Sequence, residues 1–455
     1  MTLAEDIAKY VHSVYYDDLP DSAIHNAKRL IVDTIGCGIG ALEADPVKIA
    51  IKAVPYVESG PTATILRSAK RASIDLTAFV NCTMARYFDY NDTYDGKEFS
   101  HPSDNIMAIL AVADAYELKG TDALLGIILA YEIQARLADA AALWTKGWDQ
   151  VTYGLISVSA AASRIMGLTV EETTQAINIA LNSHITMRQI RAGELSMWKA
   201  AAFANSARNA LFAVQLAKNG MTGPAPIFEG EMGFFRLVTG KFAFDTKKFG
   251  NKKNKFKIGQ GLIKYYPAET RAQTAIWCAL QLRNKISNLD AVKSILIGTN
   301  EAGYRILGKE KEKWDPKTKE TADHSLPYIA AIALIDKKVD INSFVERRFR
   351  DKVTLDFMKK IKVAEKKEFT KMFNAGGTVN AADITITLNN GETLYEKQIY
   401  SKGHAKNPMT DVEINEKFRR LTRKYISPQQ TDFALEMMWN LERSKDVGRL
   451  FKLLA

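Results

Sequence analysis

Four short stretches of this 455-residue sequence carry polar groups that packing alone does not require. The first, Asp89-Tyr90-Asn91-Asp92-Thr93, follows an apolar run from Leu76 to Met84. If that helix continues, Asp89 and Thr93 share a face, which sets a carboxylate beside a hydroxyl. The second, His101-Pro102-Ser103-Asp104-Asn105, leads into an apolar helix with Ser103 suited to its N-cap. His101 then sits by the positive end of a helix, which favours anions and depresses an imidazole's pKa. The third runs from Arg191 to Lys199. With Ser196 as cap, Lys199 takes the third helical position, where a cation opposes the dipole unless an anion also sits at that helix start. The fourth pairs Lys264 to Arg271 with Thr321 to Tyr328, in which Asp323 can orient His324. Each stretch alone also has a plainer reading: a polar helix end, a surface His, a solvated Lys, a capping Asp. Together the residue types are those of acid–base work on an anion.

Rival chemistries leave no trace. There is no G-x-S-x-G elbow, H-E-x-x-H, P-loop or Rossmann fingerprint. The six histidines show no metal-ligand spacing, so no metal is expected. Glycines 36, 38 and 40 lack a phosphate-loop pattern and read as close helix packing or termination.

The elements that must position these groups are mostly helices. Helical windows run from Asp21 or Ser22 to Ala41, Ser73 to Phe88, Asp104 to Leu118 and Ala123 to Trp144. They continue from Thr152 to Met166, Val170 to Asn182 and Ser196 to Asn219, with alanine-rich faces that let helices approach closely. The character then changes. Val292 to Gly298 and Asp383 to Leu388 alternate as strands, and Asn389-Asn390-Gly391 leads to a second strand at Thr393 to Ile399, forming a hairpin. Helices return at Ser325 to Asp336, Val412 to Tyr425 and Gln430 to Leu441. The expected fold is mainly α with a smaller α+β domain: residues 1–262 plus 410–455 as an all-helical domain, and 263–409 as an α+β lid.

A hydrophobic share of 47% and a charged share of 25% suit a soluble globular protein. No window is long and apolar enough for a membrane span, and the acidic start at Glu5 and Asp6 does not suit a secretion signal or transit peptide. Cys37, Cys82 and Cys278 are too few and too scattered for a disulfide framework or a clustered iron–sulfur motif, which points to a reducing, cytoplasmic setting. The net charge of +10 admits nucleic acid, an anionic surface or a polyanionic substrate. Six of its lysines lie between Lys247 and Lys257, a stretch better read as a solvated junction loop than as a nucleic-acid patch.

The stretches Asp89 to Thr93, His101 to Asn105, Gly193 to Lys199, Lys264 to Glu269 and Glu320 to Tyr328 together resemble the MmgE/PrpD family, in order and across the whole chain. That resemblance implies a homodimer with a large helical domain and a smaller α+β lid, working without cofactor or metal. It implies proton chemistry on a small tricarboxylate, most like 2-methylcitrate dehydration, with decarboxylation of cis-aconitate or epimerisation of iminodisuccinate as alternatives. By carry-over, Asp89, Thr93, His101, Lys199 and Lys264 match active-site positions, and Tyr328 borders the site. Two positions depart from the pattern: Gln150 and Arg271 stand where many relatives place His. The expected division of labour has Asp89 and His101 as the acid–base pair and Thr93 hydrogen-bonding substrate. Lys199, Lys264, Arg191 and Arg271 neutralise its carboxylates.

Overall fold

The computed structural model describes residues 2–57, 59–375 and 379–455. The helix Asn105–Ala115 is buried from Asn105 to Asp114, as its apolar character on every side requires. Around it pack Ile74–Arg86, Gly120–Ala140, Tyr153–Ile165 and Trp198–Lys218. One continuous core gathers Leu3 to Ile263 and resumes with Met409 to Leu454. Small residues set the spacing inside it. A Cβ on Gly154 would lie 2.6 Å from the Phe203 ring, and one on Gly36 would lie 3.0 Å from Phe418, so the glycines at 36, 38 and 40 serve close packing.

A second core runs from Ala268 to Ile386 around a four-stranded mixed sheet. The strand Val292–Thr299 lies parallel to Ile361–Glu365 on one side and antiparallel to Ala382–Leu388 on the other. Thr393–Gln398 completes the expected hairpin at the edge. Ile384 and Ile386 are buried while Thr385 and Thr387 are half-buried, the alternation of a sheet covered on one face. The helices Gln273–Arg283 and Leu326–Asp336 supply that cover. The strand Ile361–Glu365 was not anticipated. Its apolar residues Ile361, Val363 and Ala364 stand among lysines, and parallel pairing to a distant strand is what makes them strand.

Some helix starts differ from expectation. Asp21 is the first residue of Asp21–Gly40 behind Pro20, and no side chain caps it. The helix Trp198–Lys218 begins two residues beyond Ser196, so Lys199 is its second residue and Met197 holds the cap position. Ser103 belongs to a 3-10 turn, Pro102–Asp104, and does not cap Asn105–Ala115. The C-terminal helices Asp411–Thr422 and Pro428–Trp439 do carry capping boxes, Thr410 with Glu413 and Ser427 with Gln430.

The lysine-rich stretch is anchored to the helical body. Glu132 accepts the backbone N–H of Gly250 at 2.8 Å and of Lys257 at 2.6 Å. Lys252 pairs with Asp18 at 2.7 Å and Lys257 with Asp139 at 2.9 Å, the behaviour of a junction loop. The cysteines Cys37, Cys82 and Cys278 are free and buried in three separate clusters, so their thiols do not converge.

Lys417 ties the C-terminal return to the two stretches that matter most. It is buried on Asp33 at 2.6 Å and donates to the carbonyls of Tyr90 at 2.7 Å and Lys264 at 2.8 Å. Lys417→Met leaves Asp33 buried without its counter-ion and should destabilise the fold by about 3–5 kcal/mol. Denaturant unfolding checks this, and adding Asp33→Asn should recover part of the loss; an unshifted midpoint contradicts it.

Candidate active site

The helix Ile74–Arg86 stops at Arg86, so Asp89 and Thr93 do not share a helical face as expected. Asp89 instead takes a left-handed backbone at φ 51°, a region Asp tolerates better than most side chains, and its N–H returns to the Arg86 carbonyl at 3.1 Å. Its buried carboxylate is clasped by Arg86, by Lys264 at 3.1 Å and by Lys199 at 3.6 Å. Burial alone would raise its pKa, but those three cations outweigh it and hold the carboxyl well below the usual range. Lys264 also donates to the Asp89 carbonyl at 2.7 Å.

His101 is buried with both ring nitrogens engaged. Nδ1 lies 2.7 Å from the Asp92 carbonyl, so it must carry the hydrogen, and Arg86 donates to Nε2 at 2.8 Å. Burial, then the charges of Arg86 and Lys264, hold this imidazole neutral, well below its ordinary pKa. Ser103, expected as a cap, gives its N–H to Asp92 at 3.0 Å and its hydroxyl to Asn91 as acceptor at 3.0 Å. The turn it stabilises fixes the Asp92 carbonyl on which His101 hangs.

Lys199 enters from the first turn of Trp198–Lys218, and burial lowers its pKa to about 8 although Asp89 and Asp323 pull the other way. The conflict with the helix dipole is met by Asp89. His324 comes from the α+β part, its Nδ1 donating to Asp323 at 2.5 Å and its Nε2 3.6 Å from Asp89. Glu194 joins the two parts here, accepting from the hydroxyls of Thr318 at 2.8 Å and Thr321 at 2.5 Å.

Arg86, Asp89, His101, Lys199, Lys264 and His324 line one cavity of about 250 Å³, just below the roughly 300 Å³ at which drug-sized pockets begin. Eight Arg and Lys side chains face it against three carboxylates. Of the expected residues, Asp89, His101, Lys199, Lys264, Arg191 and Arg271 line the cavity. Arg191 is gripped by Asp149 at 2.6 and 3.1 Å, and Arg271 by Glu269 at 2.5 Å while it stacks on Phe99 at 4.6 Å. Residues 5–247 match the MmgE/PrpD N-terminal domain and residues 266–443 the MmgE/PrpD C-terminal domain.

The chain belongs to the MmgE/PrpD family. It is similar to the mitochondrial 2-methylcitrate dehydratase of Yarrowia lipolytica, 28% identical over 88% of this chain and 80% of that one. It is 27% identical to the 2-methylcitrate dehydratase of Salmonella typhi over 93% of this chain and 91% of that one. The cis-aconitate decarboxylase of Homo sapiens is 23% identical over 100% of this chain and 94% of that one.

Three expected residues of this MmgE/PrpD chain do not line the cavity. Thr93 exchanges backbone hydrogen bonds with Leu262 at 2.8 and 2.7 Å, which joins the Asp89 segment to the Lys264 segment. Gln150 lies behind the wall, accepting from Gln134 at 3.4 Å, next to the Asp149 that grips Arg191. Tyr328 donates to the Ser343 carbonyl at 2.5 Å inside the α+β core. Conversely, Arg86, Arg188, Arg305 and His324 line the cavity without having been singled out as site residues. Arg86 carried a signal, a basic residue three positions before Asp89 at a helix end, and His324 carried one in its neighbour Asp323. Arg188 and Arg305 carried none.

Ligand atoms of Asp89, Asp323 and His324 lie within 4.8 Å of one another. That set does not suit a divalent ion, because Arg86, Lys199 and Lys264 already face Asp89 and Lys319 holds Asp323 at 2.7 Å. Added positive charge would meet fixed cations on both sides.

Proposed function

We propose that this protein is a hydro-lyase that removes water from a small 2-hydroxy tricarboxylate, with 2-methylcitrate the first candidate. The observation that carries the reading is the cavity itself: a small space lined by a large excess of cations over carboxylates together with a buried neutral imidazole. Dehydration takes a proton from carbon beside a carboxylate and expels hydroxide, so it needs a base, an acid and strong positive charge. Lys199, Lys264, Arg191 and Arg271 supply charge for three carboxylates. Arg271, a permanent cation over Phe99, favours an extra carboxylate where an imidazole would not.

His101 is the base in this reading. A substrate carboxylate that draws the Arg86 guanidinium to itself frees the Nε2 lone pair, so proton abstraction becomes available only with substrate in place. Thr93, Gln150 and Tyr328 support the site from outside the cavity, Thr93 by holding the Asp89 and Lys264 segments together. The name of the human relative favours a second reading, decarboxylation of cis-aconitate, which uses a similar tricarboxylate anion. Incubation with 2-methylcitrate, citrate and cis-aconitate, separately and with a chelator, tests both. Dehydration creates an absorbing double bond and releases no carbon dioxide; carbon dioxide from cis-aconitate would favour the second reading, and no product from any of the three rejects both.

The same proposal includes residues 263–409 as a lid over the helical body, a cytoplasmic enzyme, and a homodimer. Trp198 and Phe212 are 47% and 53% exposed on the helix Trp198–Lys218, with Met197 and Met221 also exposed at its two ends. Phe212, exposed on that helix, is the position that probes the proposed dimer contact. Light scattering should give twice the chain mass, and Phe212→Lys should shift it towards one chain; a single-chain mass for the unaltered protein rejects the dimer. Among the described residues, no helix is long and apolar enough to cross a membrane.

A further inference from the structure

Dehydration moves two protons, one off carbon and one onto the departing oxygen. The expected pair of Asp89 and His101 provides a carrier for only one of them. Asp89 is ionised beneath Arg86, Lys264 and Lys199, and protonating it would strand three buried cations. It therefore holds charge and has no proton to give near neutral pH.

His324 has the geometry that Asp89 lacks. Its ring lines the same cavity, Nδ1–H is committed to Asp323 at 2.5 Å, and Nε2 is left as a lone pair 3.6 Å from Asp89. Asp323 is fixed in turn by Lys319 at 2.7 Å. A carboxylate behind one nitrogen and a reaction space before the other is the arrangement of a proton-transferring imidazole. We propose, on the hydro-lyase reading above, that His324 is the general acid: it takes up a proton when a tricarboxylate fills the cavity and gives it to the leaving hydroxyl.

The charges around the ring explain why uptake waits for substrate. In the empty cavity burial, then the Lys199 ammonium, push His324 down to about 4, against the pull of Asp323 and Asp89. Three substrate carboxylates neutralise Lys199 and bring negative charge to the ring, so the opposing cation is cancelled while both acids remain. His101 Nε2 then takes the proton from carbon, and the C–H pair becomes the new π bond. The C–O pair leaves on oxygen, which takes the proton from His324 Nε2 and departs as water. The proton on His101 is afterwards lost to solvent, and His324 takes another from solvent when the next substrate binds. Asp323 and Lys319 act as positioning residues.

Calorimetry of the whole protein with propane-1,2,3-tricarboxylate reads the uptake directly. That probe has three carboxylates and no hydroxyl to lose, and two buffers of different ionisation enthalpy separate proton uptake from binding heat. The unaltered protein should take up about one proton per site near neutral pH. His324→Gln should take up close to none, bind about tenfold more weakly, the share that an uptake of about one proton contributes by linkage, and lose about a hundredfold or more in turnover. Asp323→Asn should reduce the uptake and move the limb on which rate falls with rising pH to lower pH. Binding without uptake by the unaltered protein overturns the proposal whether or not the variants fold, and so does undiminished uptake by His324→Gln. Both of those results leave the tricarboxylate reading standing. Failure of the probe to bind at all sinks that reading, and the acid role with it.

Discussion

Lys199→Met should abolish turnover and weaken tricarboxylate binding by about 2 kcal/mol or more, roughly thirtyfold at the least. The ammonium is buried at the first turn of Trp198–Lys218, where the helix dipole opposes it, and it stays because Asp89 lies 3.6 Å away. Methionine keeps the length and loses the charge, so the loss reports electrostatics and not shape. The pH dependence has a definite sign. Burial has brought Lys199 down to about 8, so its positive form is complete below that value and is lost as pH rises through it. Affinity for the tricarboxylate should therefore fall above about pH 8, by up to tenfold per unit for a single deprotonation. In Lys199→Met that limb should vanish. Titration calorimetry across the pH range checks both statements, and unchanged affinity in the variant moves the carboxylate pocket elsewhere.

His101→Asn should cost at least about a hundredfold in turnover, the lower range for a lost proton-transfer group. Asparagine can still donate to the Asp92 carbonyl, which Nδ1 now does at 2.7 Å, so the turn is expected to persist. What it lacks is a basic nitrogen at the Nε2 position, where Arg86 now donates at 2.8 Å. Binding should change much less than kcat, because His101 is neutral and adds no charge to the cation set. A folded, fully active His101→Asn protein would falsify the assignment of the base.

The helical order, the hairpin and the polar stretches were legible because each rests on local pattern. Asp383 to Leu388 alternates with period two, and Leu326–Asp336 begins at a Ser cap followed by Pro327. The strand Ile361–Glu365 was not legible, because its only justification is a partner some 65 residues earlier in the chain. The same division runs through the site. Lys199 stood out because its charge opposes the helix start, Asp89, His101 and Lys264 because their stretches resemble the family, and all four reach one cavity. Thr93 also stood out, yet its part is to close a two-residue bridge to Leu262.

What the sequence by itself determined is the inventory: which acids, imidazoles and cations the chain must accommodate, and on which helices or turns they begin. What only the tertiary structure decided is their ionisation and their company. The Asp89 carboxylate is charged because Arg86, Lys199 and Lys264 surround it, and two of those three arrive from segments more than a hundred residues away. Gln150 and Tyr328 fall outside the cavity because they meet Gln134 and Ser343 behind its walls. Periodicity is a local property and electrostatic fields are not. A side chain's helix can be read from its neighbours in the chain, but its proton affinity is set by neighbours in space.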